Sequence, residues 1–467
     1  MKLHRRTFLF ACLFLPTLLI AQPGSEVSDL YNSKDDSLKI GLVLSGGGAL
    51  GIAHIGVIQA IEEAGIRIDY ITGTSMGSLV GGLYSIGYTT DQLEEIVRSN
   101  NFIELFSEKP HRKYVTNYEK LIEDRAVIEF PINEKRIDLP VSLISGQNIY
   151  SFLTELTWNA HGTENFDQFP IPFAAVATDL ETGEARVFRK GFLPDAMRAS
   201  ISIPSLFSPH EIDDKLYVDG GLIRNLPVQD AIDMGADYTI AVDVSSPLMT
   251  KDSLNTLTDV LNQSLLFRVH DYADSQRELA DYVVRIDELE KYSSADFDKA
   301  ADLLEIGQQA GREHVENFKK IADKQYYKPE LRKGVGTSGS LPINSVQIEG
   351  NTIYEDEYIL DLIDFKPGTH LNPDKIQEKI AKIYSTKYIE TVTYRIVPDE
   401  EYFYNLKINI KESESDEFRA GLRYESVSQA SILLEAELQN LIHRGSVTRL
   451  ESRLGDRIHF VLDHLYY

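Results

Sequence analysis

From residue 38 to about residue 324, short apolar runs alternate with stretches whose apolar residues recur at helical spacing, the rhythm of a mostly parallel sheet covered by helices. The runs at 40–44, 173–177 and 238–244 read as strands buried on both faces. Between the first two, Leu50, Ala53, His54, Val57, Ile58 and Ile61 fall on one face of one helix. Residues 253–324 read as charged and helical, with the acidic stretch 281–302 as a solvated helical face. The Gly- and Ser-bearing stretch 334–340 then marks a domain boundary. A smaller unit follows in the order β-α-α-β-β. Residues 343–348 form its first strand, Gly350 and Asn351 a turn, and Ile376, Ile380 and Ile383 a helix face. Val392, Tyr394 and Ile396, and then Tyr404, Leu406, Ile408 and Ile410, alternate with polar residues as strands do. Beyond Glu412, Phe418, Ala420, Leu422 and Tyr424 alternate with mostly polar residues, as do Ile432, Leu434, Ala436 and Leu438, and two weaker runs follow. One apolar and one polar face is the pattern of outer-membrane barrel strands. Four strands cannot close a barrel, for which about eight is the minimum. The chain is therefore expected to be a fragment or to pair with other chains.

With 467 residues, 43% apolar, the chain is too rich in core-forming residues for disorder or a collagen-like repeat, and it is long enough for roughly three domains. A formal charge of −25 argues against a nucleic-acid partner but not against a neutral or zwitterionic one. Residues 1–21 have the build of a secretory signal: Lys2, Arg5 and Arg6 precede an apolar run too short for a comfortable membrane span, and Ala21 supplies a small residue. The run around Cys12 looks like a lipoprotein box, and His4 to Leu9 resembles a twin-arginine signal, so export is expected by a route left open. The chain's single cysteine lies within this segment, which leaves the mature protein without a disulfide or a cysteine-based metal site.

Gly73-Thr74-Ser75-Met76-Gly77 falls between an apolar strand and a helix, where G-x-S-x-G reads as a nucleophile elbow. Glycines are needed there because the serine's backbone is strained and its neighbours approach closely. A structural turn is the rival reading of the pentapeptide alone. Gly46, Gly47 and Gly48, at the end of the first strand, offer unobstructed N–H groups at a helix start, able to hold a phosphate or the oxyanion of an acyl-transfer intermediate. The spacing is not that of a dinucleotide loop. As for a base, His270 and His314 lie in charged, helical surroundings and read as surface residues. Asp219 instead follows the strand-like 216–218 and precedes Gly220 and Gly221, where a carboxylate can reach a neighbouring hydroxyl. His54 reads as a core histidine, Asp179 as a site-shaping group or an Asx-type turn, and Arg198 as a structural or substrate-positioning cation.

Taken with Ala177-Thr178-Asp179-Leu180 and the run from Arg198 to Pro204, these motifs resemble, in order, those of the patatin-like phospholipases over about residues 39–324. The resemblance implies an α/β, three-layer patatin-like fold with a mostly parallel central sheet. It implies hydrolysis of lipid acyl esters, as a phospholipase A, by a Ser75/Asp219 dyad without cofactor or metal. Gly46, Gly47 and Gly48 would form the oxyanion hole, with Gly73, Gly77 and Gly220 in support. Leu50 stands where the family usually has Arg or Lys, which favours one alternative, an inactive module for outer-membrane assembly or transport; a neutral-lipid esterase is a second, narrower alternative that a substrate panel separates. Residues 346–351 are similar to a POTRA domain, so the whole chain resembles the patatin, POTRA and barrel proteins of Gram-negative bacteria. Expected domains are a signal peptide (1–21), a polar linker (22–37), the hydrolase (38–325), a linker (326–341), a small α+β POTRA domain (342–413) and the first, antiparallel strands of an incomplete barrel (414–467). Expected partners are a phospholipid or other lipid ester, the outer membrane and, as an open question, a second copy. The hydrolase would be periplasmic or at the cell surface.

Overall fold

Ile40, Leu42 and Leu44 of the first strand enter one apolar cluster, whereas Val43 packs with Val228, Ala231 and Ala241 in another. Successive side chains of a strand point to opposite faces, so this strand is buried between two helical layers. The structure, a computed structural model, describes residues 38–106, 113–114, 128–133, 136–137, 142–246, 248, 250–251, 254–255, 257–325, 334–336, 339–386, 389–399, 403–412, 416–425, 429–443, 446–456 and 458–466. The expected signal segment and the linker at 22–37 lie outside these residues, as does part of the expected linker at 326–341.

In chain order the strands of the N-terminal domain are β1 (Ile40–Leu44), β2 (Tyr70–Thr74), β3 (Ile128–Asn133), β4 (Arg136–Ile137), β5 (Ser142–Ile144), β6 (Phe173–Asp179), β7 (Ala185–Phe188), β8 (Ser205–Phe207), β9 (His210–Ile212), β10 (Lys215–Asp219), β11 (Tyr238–Asp243) and β12 (Tyr282–Arg285). The central sheet runs β12-β11-β1-β2-β6-β10-β9, with β7 also paired to β6. Its first five strands are parallel, and β7, β9 and β10 run antiparallel to their neighbours. Helices His54–Glu63, Met76–Ser85 and Ala300–Ala322 contribute to the larger cluster on one face, and helix Val228–Met234 to the smaller on the other. Gly56 and Gly307 let the first and third of these helices touch backbone to backbone. A Cβ on Gly56 would lie 2.1 Å from the Gln308 amide nitrogen, and one on Gly307 2.2 Å from the Ala53 carbonyl oxygen.

Two expectations for this domain are corrected. The helix after β1 begins as a tight 3-10 turn, Gly48–Ala53, and Ile52 and Ile55 are buried as well, so it is wrapped by core rather than presenting one face. The acidic stretch 281–302 is not a helical face. It holds β12 at the end of the sheet, and then 3-10 turns, with Val284, Ile286 and Leu289 buried. Asp281, at its start, caps the sheet by accepting from the Thr239 backbone N–H at 2.8 Å.

The middle domain consists of β13 (Leu341–Glu349), helix Asp356–Leu362, β14 (Thr369–Leu371), helix Pro373–Tyr384, β15 (Ile389–Pro398) and β16 (Tyr404–Glu412), with sheet order β14-β13-β16-β15. The short strand β14 is an addition to the expected β-α-α-β-β order. Ile376, Ile380 and Ile383 are fully buried against Val392, Leu406 and Ile408. Trp158, the chain's single tryptophan, comes from the N-terminal domain but packs into this core.

Four antiparallel strands end the chain: β17 (Asp416–Glu425), β18 (Gln429–Gln439), β19 (Ser446–Leu454) and β20 (His459–Tyr466). They do not stand alone. The hairpin β3-β4 of the N-terminal domain pairs with β17, which gives a six-stranded open sheet. Its faces are inverted relative to a water-soluble sheet. Leu422, Phe460 and Leu462 are 78%, 70% and 69% exposed, while Glu435, Glu437, Arg449 and Glu451 are buried on the other face. Arg419 and Arg449 each bridge Glu435 and Glu437 there, at 2.9–3.2 Å. Apolar-out and polar-in is the arrangement of barrel walls in lipid. Among the described residues no helix is long and apolar enough to cross a membrane.

Candidate active site

Ser75 stands between β2 and helix Met76–Ser85 with φ 51° and ψ −127°, a backbone conformation that L side chains rarely adopt and that costs about 1–3 kcal/mol. The strain is imposed from both sides. The Ser75 N–H donates to Ser200 Oγ at 2.8 Å, and its carbonyl accepts from the Ser78 N–H at 2.8 Å and from Ser78 Oγ at 2.7 Å. Gly77 permits the bend because a Cβ there would lie 2.3 Å from the Leu44 carbonyl oxygen and 2.6 Å from that of Ser45. Gly77→Ala should therefore destabilise the protein by about 1–3 kcal/mol through forced backbone displacement, measured by denaturant unfolding. Unchanged stability would contradict this packing.

Asp219 ends β10. Its backbone N–H donates to the Ser202 carbonyl at 2.9 Å and its carbonyl accepts from Thr178 Oγ1 at 3.0 Å, so both sides of the residue are fixed. Its carboxylate divides its two oxygens. Oδ1 accepts from the Gly221 N–H at 2.7 Å, and Oδ2 accepts from the Ser75 hydroxyl at 2.7 Å. Both side chains are almost fully buried. That burial pushes the Asp219 carboxyl up to about 6, against the opposing pull of the bonds from Ser75 and Gly221. Gly220 lets the turn pass close to β6, since a Cβ there would lie 2.2 Å from the Val176 carbonyl oxygen.

Gly46, Gly47 and Gly48 lie beside the elbow. A Cβ on Gly46 would come within 2.9 Å of Ser75 Cβ. The Gly46 N–H, however, donates to the Asn225 carbonyl at 3.2 Å, so its role is to anchor the loop. Gly48 has φ +56° and a Cβ there would lie 2.3 Å from the Ser294 carbonyl oxygen. Leu50, two residues on, is buried in the core. His54 pins the same loop through Nε2, 2.8 Å from the Ser45 carbonyl. Burial pulls its imidazole down to about 4, so it is neutral, and its Nδ1 has no hydrogen-bond partner among the described residues.

The other residues singled out from the sequence divide cleanly. Asp179 closes a turn by accepting from the Glu181 and Thr182 N–H groups at 3.0 and 3.1 Å. Arg198 is 2% exposed, lies over the Phe207 ring and donates to Ser202 Oγ and to the carbonyls of Ser145 and Ser208. His270 and His314 are partly buried on helices and neither bonds Ser75 or Asp219; the latter pairs with the Tyr282 hydroxyl. Ser200, Ser202 and Asn225 were not singled out individually. The first two sit in the run from Arg198 to Pro204, and Asn225 six residues after Asp219; nothing in the local sequence marks any of the three, because each acts on a partner remote in sequence. Among the described residues no cluster of three or more His, Cys, Asp or Glu side chains could hold a metal ion.

Residues 42–232 match the family model of the patatin-like phospholipases, and residues 341–413 match that of POTRA, described as a surface antigen variable number repeat. An uncharacterised NTE family protein of Mycobacterium tuberculosis is 33% identical over 246 residues, which are 50% of this chain and 59% of the relative. The lysophospholipase NTE1 of Saccharomyces cerevisiae is 30% identical over 297 residues, 58% of this chain and 16% of its own. The chain therefore spans under two thirds of the length of these curated relatives. Among solved structures, VipD from Legionella pneumophila aligns over 61% of this chain and 67% of its own at 12% identity, with a TM-score of 0.35.

Proposed function

Because the chain carries a patatin-like phospholipase domain followed by a POTRA domain, we propose that it is a serine hydrolase of lipid acyl esters, of phospholipase A type, held at the outer membrane. The observation that carries this reading is the 2.7 Å bond from the Ser75 hydroxyl to a buried carboxylate at a strained strand-to-helix turn. Asp219 takes the Ser75 proton as Oγ attacks the ester carbonyl. The carbonyl electrons move to oxygen, which the Gly47 and Gly48 amides and the positive end of helix Met76–Ser85 stabilise. As the ester C–O bond breaks, the Asp219 carboxyl returns the proton to the leaving alkoxide. Water then repeats the sequence on the acyl-enzyme, and the fatty acid leaves. The exposed apolar wall of the C-terminal sheet supports the membrane part of the proposal, since apolar surface in water costs about 25 cal/mol per Å² and lipid removes that cost.

Vesicles of phosphatidylethanolamine and phosphatidylglycerol are the substrate to try first. Free fatty acid should accumulate with protein concentration, and no release above the protein-free rate would contradict a phospholipid substrate. The pH profile follows from Asp219. Only the ionised carboxylate accepts the proton, and its pKa stands near 6. Thus kcat/KM should be flat at neutral pH and fall about tenfold per pH unit below that value, along a single-proton limb. A profile unchanged down to the ordinary carboxylate range would contradict Asp219 as the base.

A further inference from the structure

The POTRA domain grips the N-terminal domain at two helices. The Gln147 amide donates to the Val392 carbonyl at 2.9 Å and accepts from the Val392 N–H at 2.7 Å, reading the edge of β15 as another strand would. Gln377 donates to the Ser151 carbonyl at 2.6 Å, and Trp158 Nε1 donates to the carbonyl of Gly339, in the linker just before the domain, at 3.1 Å. The second contact is with helix Leu193–Ser200. Arg395 on β15 lies 5.3 Å over the ring of Phe192, the residue just before this helix, and its guanidinium pairs with the Asp195 carboxylate in the first turn.

Asp195 is almost fully buried and its other oxygen is also engaged. Oδ1 accepts from the Tyr150 hydroxyl at 2.8 Å and lies 3.1 Å from His210 Nε2. Burial opposes its charge, yet His210, Arg395 and Tyr150 together hold its carboxyl below the usual carboxylate range. Each partner belongs to an element that matters elsewhere. Tyr150 is on the helix that carries Gln147, and His210 is on β9, whose neighbour β10 ends in Asp219. The opposite end of helix Leu193–Ser200 holds the reacting pair: Ser200 Oγ accepts from the Ser75 N–H, and the carbonyl of Ser202, just beyond the helix, accepts from the Asp219 N–H. A helix of eight residues is a rigid strut of about 12 Å.

We infer that the POTRA domain positions the dyad: Arg395, acting through Asp195, fixes the helix whose far end sets the Ser75 and Asp219 backbones. Asp195 and Arg395 are positioning residues, and the state of the POTRA domain is felt at the nucleophile. The inference rests on the Ser75/Asp219 reading and gives it a point of regulation, since whatever displaces Arg395 loosens the site.

The test uses the full chain and the rate at which a fluorophosphonate modifies Ser75, which needs no lipid. Arg395→Gln should slow labelling about fivefold or more, and kcat for a soluble ester should fall by the same factor with KM unchanged. Trp158 emission, which reports docking of the two domains, should not move. Asp195→Asn should have a similar effect, and the double variant should be no slower than the worse single one, whereas two merely structural losses would multiply. Arg395→Lys, which keeps the charge but not the planar stack on Phe192, should recover part of the rate. A labelling rate unchanged by Arg395→Gln overturns the inference, and so does a rate that falls only together with a red shift of Trp158. Wild-type protein that is never labelled would instead overturn the dyad itself.

Discussion

Replacing Asp219 by asparagine is expected to lower ester hydrolysis by about 10²–10⁴-fold, the span typical of a lost general base, while leaving the protein folded. The amide has the carboxylate's shape, so the bond from the Gly221 N–H and the contact with the Ser75 hydroxyl survive in outline. What the proposed mechanism loses is the ability to hold the Ser75 proton once the oxygen attacks. Stability should not suffer, because the substitution removes a charge whose burial already pushes its carboxyl up to about 6. Initial rates on a soluble ester, with the unfolding midpoint as the control, separate these terms. Activity within about tenfold of wild type in a folded protein would remove Asp219 from the mechanism.

Ser75→Ala should have the larger effect, a loss of at least about 10³-fold, down to what the amide cradle and substrate binding supply without a nucleophile. Alanine shares the strain of φ 51°, so the backbone gains no relief, and the Ser200 bond to the residue 75 N–H persists. The change is confined to one oxygen. In the proposed mechanism hydroxyl and carboxylate act as a unit, so the double variant Ser75→Ala/Asp219→Asn should be no slower than Ser75→Ala alone. Fatty-acid release that falls further in the double variant would show that Asp219 works on something other than Ser75.

Much of this molecule could be read from its chain because the chemistry demands particular residues at fixed local spacing. An elbow needs small residues two before and two after its serine, and Gly73 and Gly77 supply them where a Cβ would strike backbone at 2.4 and 2.3 Å. Strand β1 was legible since a strand covered on both sides has no polar face to interrupt it. Other features depend on partners remote in sequence. Ser200 supports Ser75 across 125 positions, and no local pattern distinguishes it from any other helical serine. Strand β12 hides in an acidic stretch because it is four residues long at the end of the sheet and only Val284 is fully buried. The pairing of hairpin β3-β4 with β17 is of the same kind. It satisfies an open edge, and an edge accepts many sequences. The Gly46 amide is the subtler case. Three glycines in a row predicted three free donors, but a loop must also be anchored, and Asn225 takes the first of them.

The central claim is that Ser75 is a nucleophile activated by Asp219, and it is tested most directly by mapping a fluorophosphonate adduct. The full-length protein is exposed to the probe, digested and read by peptide mass. The account predicts one adduct on the peptide containing Ser75, none in Ser75→Ala, and a much slower adduct in Asp219→Asn. A folded wild-type protein that stays unmodified, or that carries the adduct on another residue, would contradict it.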